Sequence, residues 1–303
     1  MQGDKRPVVM GADKAAPGGV ATLDASGNVP FEQLGNVVRP NLLINPDFLN
    51  PVNQRGQTEY TEAGYTIDRW KTPTGGTISI EADGIHIKQG SSPYGYVILE
   101  QAIENGTMLK ERQLTLSVLT SEGLVWKSGT IGNLRSVYAT DTSYVTCITS
   151  GSNTVVQFVS KTDNAPALIA IKLELGSTQT LAHQDTDGNW VLNEIPDYGE
   201  ELRKCQRYFY KFDKYLLPAM SFGNTAWWFK LDFPVPMRAT PEIVGLDTGK
   251  LMTGGTNLSG ATFELGNRNA EQVNVTCKYS TFDSAAKYVV SYGSGYAYAS
   301  ADL

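Results

Sequence analysis

The chain has 303 residues, enough for two domains of ordinary size, with 18% charged residues and a net charge of -6. A balance that small and negative excludes the basic face of a nucleic-acid binder. The 30 Gly, the 15 Tyr and frequent Thr and Ser are the usage of an all-β protein with many turns. Cys147, Cys205 and Cys277 are odd in number and far apart, so no closed disulfide framework follows. No Cys/His cluster suggests zinc. The longest apolar stretch, around Ala165 to Leu175, contains Lys172 and is too short to cross a bilayer.

Residues 1–40 read as an extended arm, punctuated by Pro7, Pro17, Gly27, Pro30 and Pro40. Within it Val20, Leu23, Val29, Phe31 and Leu34 are apolar around a turn signal at Asp24 to Asn28. A segment this short does not bury its side chains alone, so it is expected to order against copies of itself or a larger assembly. Gly18-Gly19, Asp24, Gly27 and Gln33-Leu34 resemble, in that order, the hairpin-like modules of bacteriophage tail-fibre shafts.

Composition changes at Asn41. Leu42-Leu43-Ile44 reads as a first strand, Asn45-Pro46-Asp47 as a tight turn, and a further strand enters at Tyr65, Ile67 and Trp70. Asn41, Leu42, Ile44, Asn45, Asp47, Phe48, Gln54, Arg55, Gly56, Asp68, Arg69 and Trp70 resemble the opening of the jelly-roll, carbohydrate-binding-module-like domain of phage and prophage tail proteins. Pro46 replaces the usual Gly there, and Asn53 the usual Trp.

From Thr77 to Leu175, short period-two segments alternate with turns. Ile78, Ile80, Ile85 and Ile87 belong to one pair, followed by Tyr96 to Leu99, Leu114 to Val125, Tyr144 to Ile148, Val155 to Val159 and Leu168 to Leu175. That spacing predicts a two-sheet sandwich over 41–196. A helix follows, predicted over 197–212. Tyr198, Leu202, Cys205, Phe209 and Phe212 share one face, Asp197 caps the start, and Glu200 and Glu201 precede Arg203, Lys204 and Arg207. Lys172 to Gly176, then Glu200, Glu201, Leu202, Cys205, Gln206, Arg207 and Tyr208, resemble the closing strand and helix of the same tail-protein family.

Residues 213–303 read as a smaller β domain, with strands expected at Trp227 to Phe233, Ala261 to Leu265, Gln272 to Lys278, Ala286 to Tyr292 and Tyr296 to Ala299. Phe233 to Pro241 and the Gly295 to Leu303 ending resemble elements of those tail fibres. The expected fold is therefore mainly β: a jelly-roll sandwich, one linking helix, a smaller C-terminal β domain and an extended N-terminal arm.

Chemistry is sparse. His86 lies in the Ile85–Ile87 strand and His183 in a polar loop, neither in a catalytic motif, and no enzyme is expected. The Asp185 to Asn189 run spaces oxygen donors like part of a calcium loop without its distal Glu, and a plain turn accounts for it better. Jelly-roll sugar binders often carry a structural calcium, for which Asn45 and Asp47 would be the residues to inspect; no other cofactor is expected. Sugar recognition needs aromatic faces and polar side chains. Trp70, Tyr94, Tyr96, Trp126, Tyr138, Trp190 and Trp227 are the aromatic candidates, with Trp70 assigned to the core. The site residues put forward are Tyr94, Tyr96, Trp126, Trp190 and Arg55.

The resemblance implies a tail fibre or receptor-binding protein that adsorbs to host surface glycan without cleaving it. It also implies assembly with other tail or baseplate proteins through the arm, a homotrimer, and a place in the virion tail after synthesis without a signal peptide. Neither nucleic acid nor membrane insertion is expected. The alternatives are a structural tail component without a receptor site, or a glycan depolymerase.

Overall fold

The computed structural model describes residues 38–90, 92–212, 215–216, 220–221, 225–246, 250–253, 256–280, 288–291 and 297–302, with 20–23, 25, 27 and 29 of the arm. The arm reading therefore lies mainly outside the described residues.

The strands of the first part are β1 (Glu59–Tyr60), β2 (Gly64–Tyr65), β3 (Lys71–Thr72), β4 (Thr77–Glu81), β5 (Gly84–Lys88) and β6 (Val97–Ile103). They continue with β7 (Leu114–Thr120), β8 (Gly123–Gly129), β9 (Val137–Tyr138), β10 (Ser143–Ser150), β11 (Asn153–Ser160) and β12 (Leu168–Leu175). They form two six-stranded antiparallel sheets, A in the order β1-β4-β5-β12-β7-β8 and B in the order β2-β3-β6-β11-β10-β9. The sheets pack as a sandwich consistent with a jelly roll. Alternate residues point inward, so Ile78, Ile85, Leu116, Val118, Ile171 and Leu173 from A meet Leu99, Val145, Val156 and Phe158 from B in one core.

Three local readings change. Leu42 to Ile44 is not a strand, because side chains occupy the ladder positions: the Gln101 amide bonds both the N–H and the C=O of Ile44, and Asn41 bonds Ile171 and Leu173. Ile67 to Trp70 is a turn closed by Thr66 N–H to Trp70 O, with Arg69 at φ 72°. Trp70 is fully buried, as expected, and donates to Asn45 O at 2.8 Å. His183 lies not in a loop but, with Trp190, in a hairpin of β13 (Ala182–Gln184) and β14 (Trp190–Leu192).

The helix α1 (Tyr198–Gln206) starts where expected, with Asp197 accepting the Glu200 N–H at 2.8 Å, but it stops six residues short of Phe212. The aromatic run Tyr208 to Phe212 favours extended backbone, and Phe209–Lys211 forms β15, paired with β25 (Tyr298–Ser300). Phe209 and Phe212 are buried all the same, which is why the helical spacing misleads.

The remaining strands are β16 (Tyr215–Leu216), β17 (Met220–Ser221), β18 (Ala226–Asp232), β19 (Glu242–Val244), β20 (Lys250–Thr253), β21 (Thr256–Asn257), β22 (Thr262–Arg268), β23 (Gln272–Lys278) and β24 (Tyr288–Ser291). They form three small sheets, β15-β25-β19, β16-β24-β20-β21 and β17-β18-β23-β22. These share a second core built on Phe229, Phe233, Ile243, Val273 and Val275. The three cysteines are free and buried.

Candidate carbohydrate-binding surface

Strand alternation decides which aromatics reach solvent. On β8, Val125 faces Val118 and packs against the core, so Trp126 points outward; it is 47% exposed. Tyr94, in the β5–β6 loop, is 60% exposed and lies 6.1 Å from the half-buried Tyr96. Trp190, on β14, is 38% exposed and lies over Gly123, where an added Cβ would meet its Nε1 at 3.2 Å. Tyr138, on β9, is 57% exposed and pairs with Tyr144 at 5.5 Å, a neighbour the sequence reading did not single out. Trp227 packs against the second core.

Three loops bring some of these to one end of the sandwich. Asp163 holds Gly90 N–H at 3.0 Å, next to the tyrosine loop, and Ser121, in the β7–β8 turn, bonds Ala167. Tyr94, Tyr96 and Trp190 thus stand around the same end, and Trp126 lies on the outer face of sheet A beside it.

Arg55 is elsewhere. Strand β6 runs from Val97, beside the tyrosine loop, to Ile103, about 20 Å away at ~3.3 Å per residue. At that far end the sandwich meets the C-terminal sheets. Arg55 is 11% exposed and donates to Asp68 and to Asp302, each at 3.0 Å. Its guanidinium stacks on Phe209, 3.9 Å from the ring centroid. Arg69 lies 3.6 Å over the Tyr208 ring, bonds Ala102 O and sits 3.7 Å from Asp302. Gln54 bridges Asp68 to Phe209 O. Glu104 accepts from Tyr208 at 2.6 Å and from Arg207 at 3.1 Å, while Ala301 N–H bonds Tyr208 O. Burial pushes the Asp68 carboxyl up to about 6 against the pull of Arg55, and it raises Asp302 as well. Gln54, Arg55, Asp68, Arg69, Arg207 and Tyr208, six of the residues that carry the tail-protein resemblance, are parts of this joint.

A cleft of about 450 Å³ opens beside the joint, lined among others by Arg55, Tyr65, Phe209, Glu242, Tyr298 and Ser300. A smaller cavity lies between α1, the Pro40 to Asp47 segment and the β13–β14 hairpin.

The oxygen-rich spots of the chain have protein partners. Asp185 accepts the N–H groups of Asp187 and Asn189 as the turn of the β13–β14 hairpin. The side chain of Asn45 bonds Val52 and Asp68, and Asp47 takes Leu49 N–H. Glu81, Asp83 and His86 bring three ligand atoms within 4.8 Å of one another on the β4–β5 hairpin, and a 2.9 Å hydrogen bond between His86 and Asp83 accounts for that grouping.

No family model, curated protein or solved structure matches this chain.

Proposed function

We propose that this protein is a tail-fibre or receptor-binding component of a phage or phage-tail-like particle, adsorbing to host surface glycan without cleaving it. The observation that carries the reading is the set of outward aromatic rings, Tyr94, Trp126, Tyr138 and Trp190, on the strands and loops of a close-packed sandwich. Rings held by a sheet scaffold present a face to the C–H side of a sugar with little side-chain entropy to lose. The motif resemblance supplies the setting, with the arm as the attachment to other tail proteins and a homotrimer as the displayed form. Several copies convert weak single-site binding into firm adsorption.

A second reading is a structural tail component without a receptor site. It is favoured by one observation: Gln54, Arg55, Asp68, Arg69, Arg207 and Tyr208 of the tail-protein motifs serve the joint between the two cores. A glycan array probed with the purified full chain, followed by assay for released sugar, separates these readings. Capture without product is expected. Capture with product means a depolymerase, and no capture at all favours the structural component. Light scattering is expected to give three times the chain mass, and a stable monomer would contradict the trimer.

A further inference from the structure

Strand β12 is mostly apolar inward, yet its outer face carries Lys172 and Glu174 between apolar neighbours. The Gly176 to Asn193 segment folds back over that face, and Leu181, Ala182 and Leu192 join Leu119 and Ala170 in a small cluster. Lys172 is left 3% exposed beneath it. Its ammonium group makes one long hydrogen bond, 3.4 Å to Thr180 O, and lies 4.0 Å from Glu174. Glu174 is already engaged by the Thr180 N–H and hydroxyl. Two of the three Lys172 N–H groups therefore have no acceptor among the described residues, a costly state for a buried cation. Burial lowers its proton affinity.

Lys172 lines a cavity of about 320 Å³ whose walls include Leu43, Pro46, Ala170, Leu181, Leu192 and Pro196. The acids around it divide in two. Asp197 caps the helix, Glu200 pairs with Arg203, and Glu201 binds Asn45 N–H and Lys204. Glu194 makes no hydrogen bond among the described residues, and Asp47 accepts the backbone N–H groups of Leu49 and Asn50 with lone pairs to spare. Five carboxylates (Asp47, Glu194, Asp197, Glu200, Glu201) face two ammonium groups (Lys172, Lys204), which disfavours a free anion. The unfilled groups ask for a neutral ligand that accepts at one point and donates at two others. A hydroxyl does both. The size is at the small end of ligand pockets, which run from about 300 to 1,000 Å³.

We propose that this cavity is a subsite for the terminal ring of a neutral sugar. Lys172 donates to hydroxyl oxygens, Glu194 and Asp47 accept hydroxyl hydrogens, and Leu181, Leu192 and Pro46 pack the C–H surface. The inference rests on the adsorption reading and adds to it a part that none of the exposed aromatics lines.

The test is calorimetric and ligand-detected NMR titration of the full chain with D-glucose, D-galactose and N-acetyl-D-glucosamine, with acetate and glycerol as control probes. Saturable binding of at least one sugar, and of neither control, is expected. Glu194→Gln and Leu192→Trp, which removes an acceptor and fills the cavity, are each expected to weaken it at least tenfold. Lys172→Met is expected to do the same, and the other two variants decide the matter if it fails to fold. The inference is overturned by absence of saturable sugar binding, by acetate binding as well as sugar, or by sugar binding that survives both Glu194→Gln and Leu192→Trp. Array capture that persists when the monosaccharides fail sinks this subsite alone, whereas loss of both sinks the adsorption reading too.

Discussion

The two ends of the sandwich are made of opposite materials. At the joint with the C-terminal sheets, charged side chains are buried and bonded to one another: Arg55, Asp68, Arg69 and Asp302, flanked by Glu104, Arg207 and Tyr208. About 20 Å along β6, at ~3.3 Å per residue, the other end shows Tyr94 and Trp190 to solvent. The difference separates two kinds of signal. Arg55, Asp68, Arg69, Arg207 and Tyr208, all residues of the motif, hold the joint together here, while the exposed aromatic rings lie outside that motif.

The largest expected effect lies at the joint. Arg69→Met keeps the stem but leaves Asp302 with Arg55 alone and the Ala102 carbonyl without its donor. Breaking a buried pair from one side costs about 3–5 kcal/mol, readable by urea unfolding. A loss under 1 kcal/mol would mean that the joint is looser than its geometry.

Protonation tests the same place. The Asp68 carboxyl is raised to about 6 from an ordinary 3.8, so the folded chain binds more protons than the unfolded chain between those values. Its contribution therefore weakens stability as pH rises through that window and is fully felt above it. At ~1.4 kcal/mol per unit, two units amount to roughly 3 kcal/mol as an upper figure. Asp302 is shifted in the same direction. Unfolding measured from pH 7 to pH 5 should show a rise in the wild type that Asp68→Asn reduces; an equal slope in both would contradict the assignment to Asp68.

The helix start is a smaller term. Asp197→Ala removes the cap to Glu200 N–H and is expected to cost about 1 kcal/mol. Smallest in stability, and largest in binding, are the exposed rings. Trp190→Ala and Tyr94→Ala should change unfolding free energy by under ~1 kcal/mol while weakening glycan capture at least tenfold. Loss of stability without loss of capture would return those rings to a packing role.

How much of this was readable in advance follows from which forces are local. The sandwich was legible because inward and outward residues alternate along the chain, as at Ile78, Ile80, Ile85 and Ile87. The helix start was legible because Asp197 caps a neighbour three residues on. Its end was not, since the partner that draws Phe209–Lys211 into a strand lies at Tyr298–Ser300. Leu42 to Ile44 looked like a strand because side-chain substitutes for a ladder, from Asn41 and Gln101, leave no mark on hydropathy. Arg55 was grouped with the tyrosines for want of any sign that Asp302, far along the chain, claims it. Lys172 was noticed as an interruption in an apolar run and as part of the closing-strand motif, but not as a cavity wall; its cavity exists because the Gly176 to Asn193 segment folds back over it and the Pro40 to Asp47 segment and α1 close the other sides.

The most direct test takes Arg55→Met, the one proposed sugar contact that sits in the joint, against the glycan that the wild type captures. With the variant folded at low temperature, a purely structural role for Arg55 predicts affinity within about twofold of wild type and a clear drop in unfolding free energy. Capture lost with stability intact would contradict it, and would move the binding site to the cleft beside the C-terminal sheets.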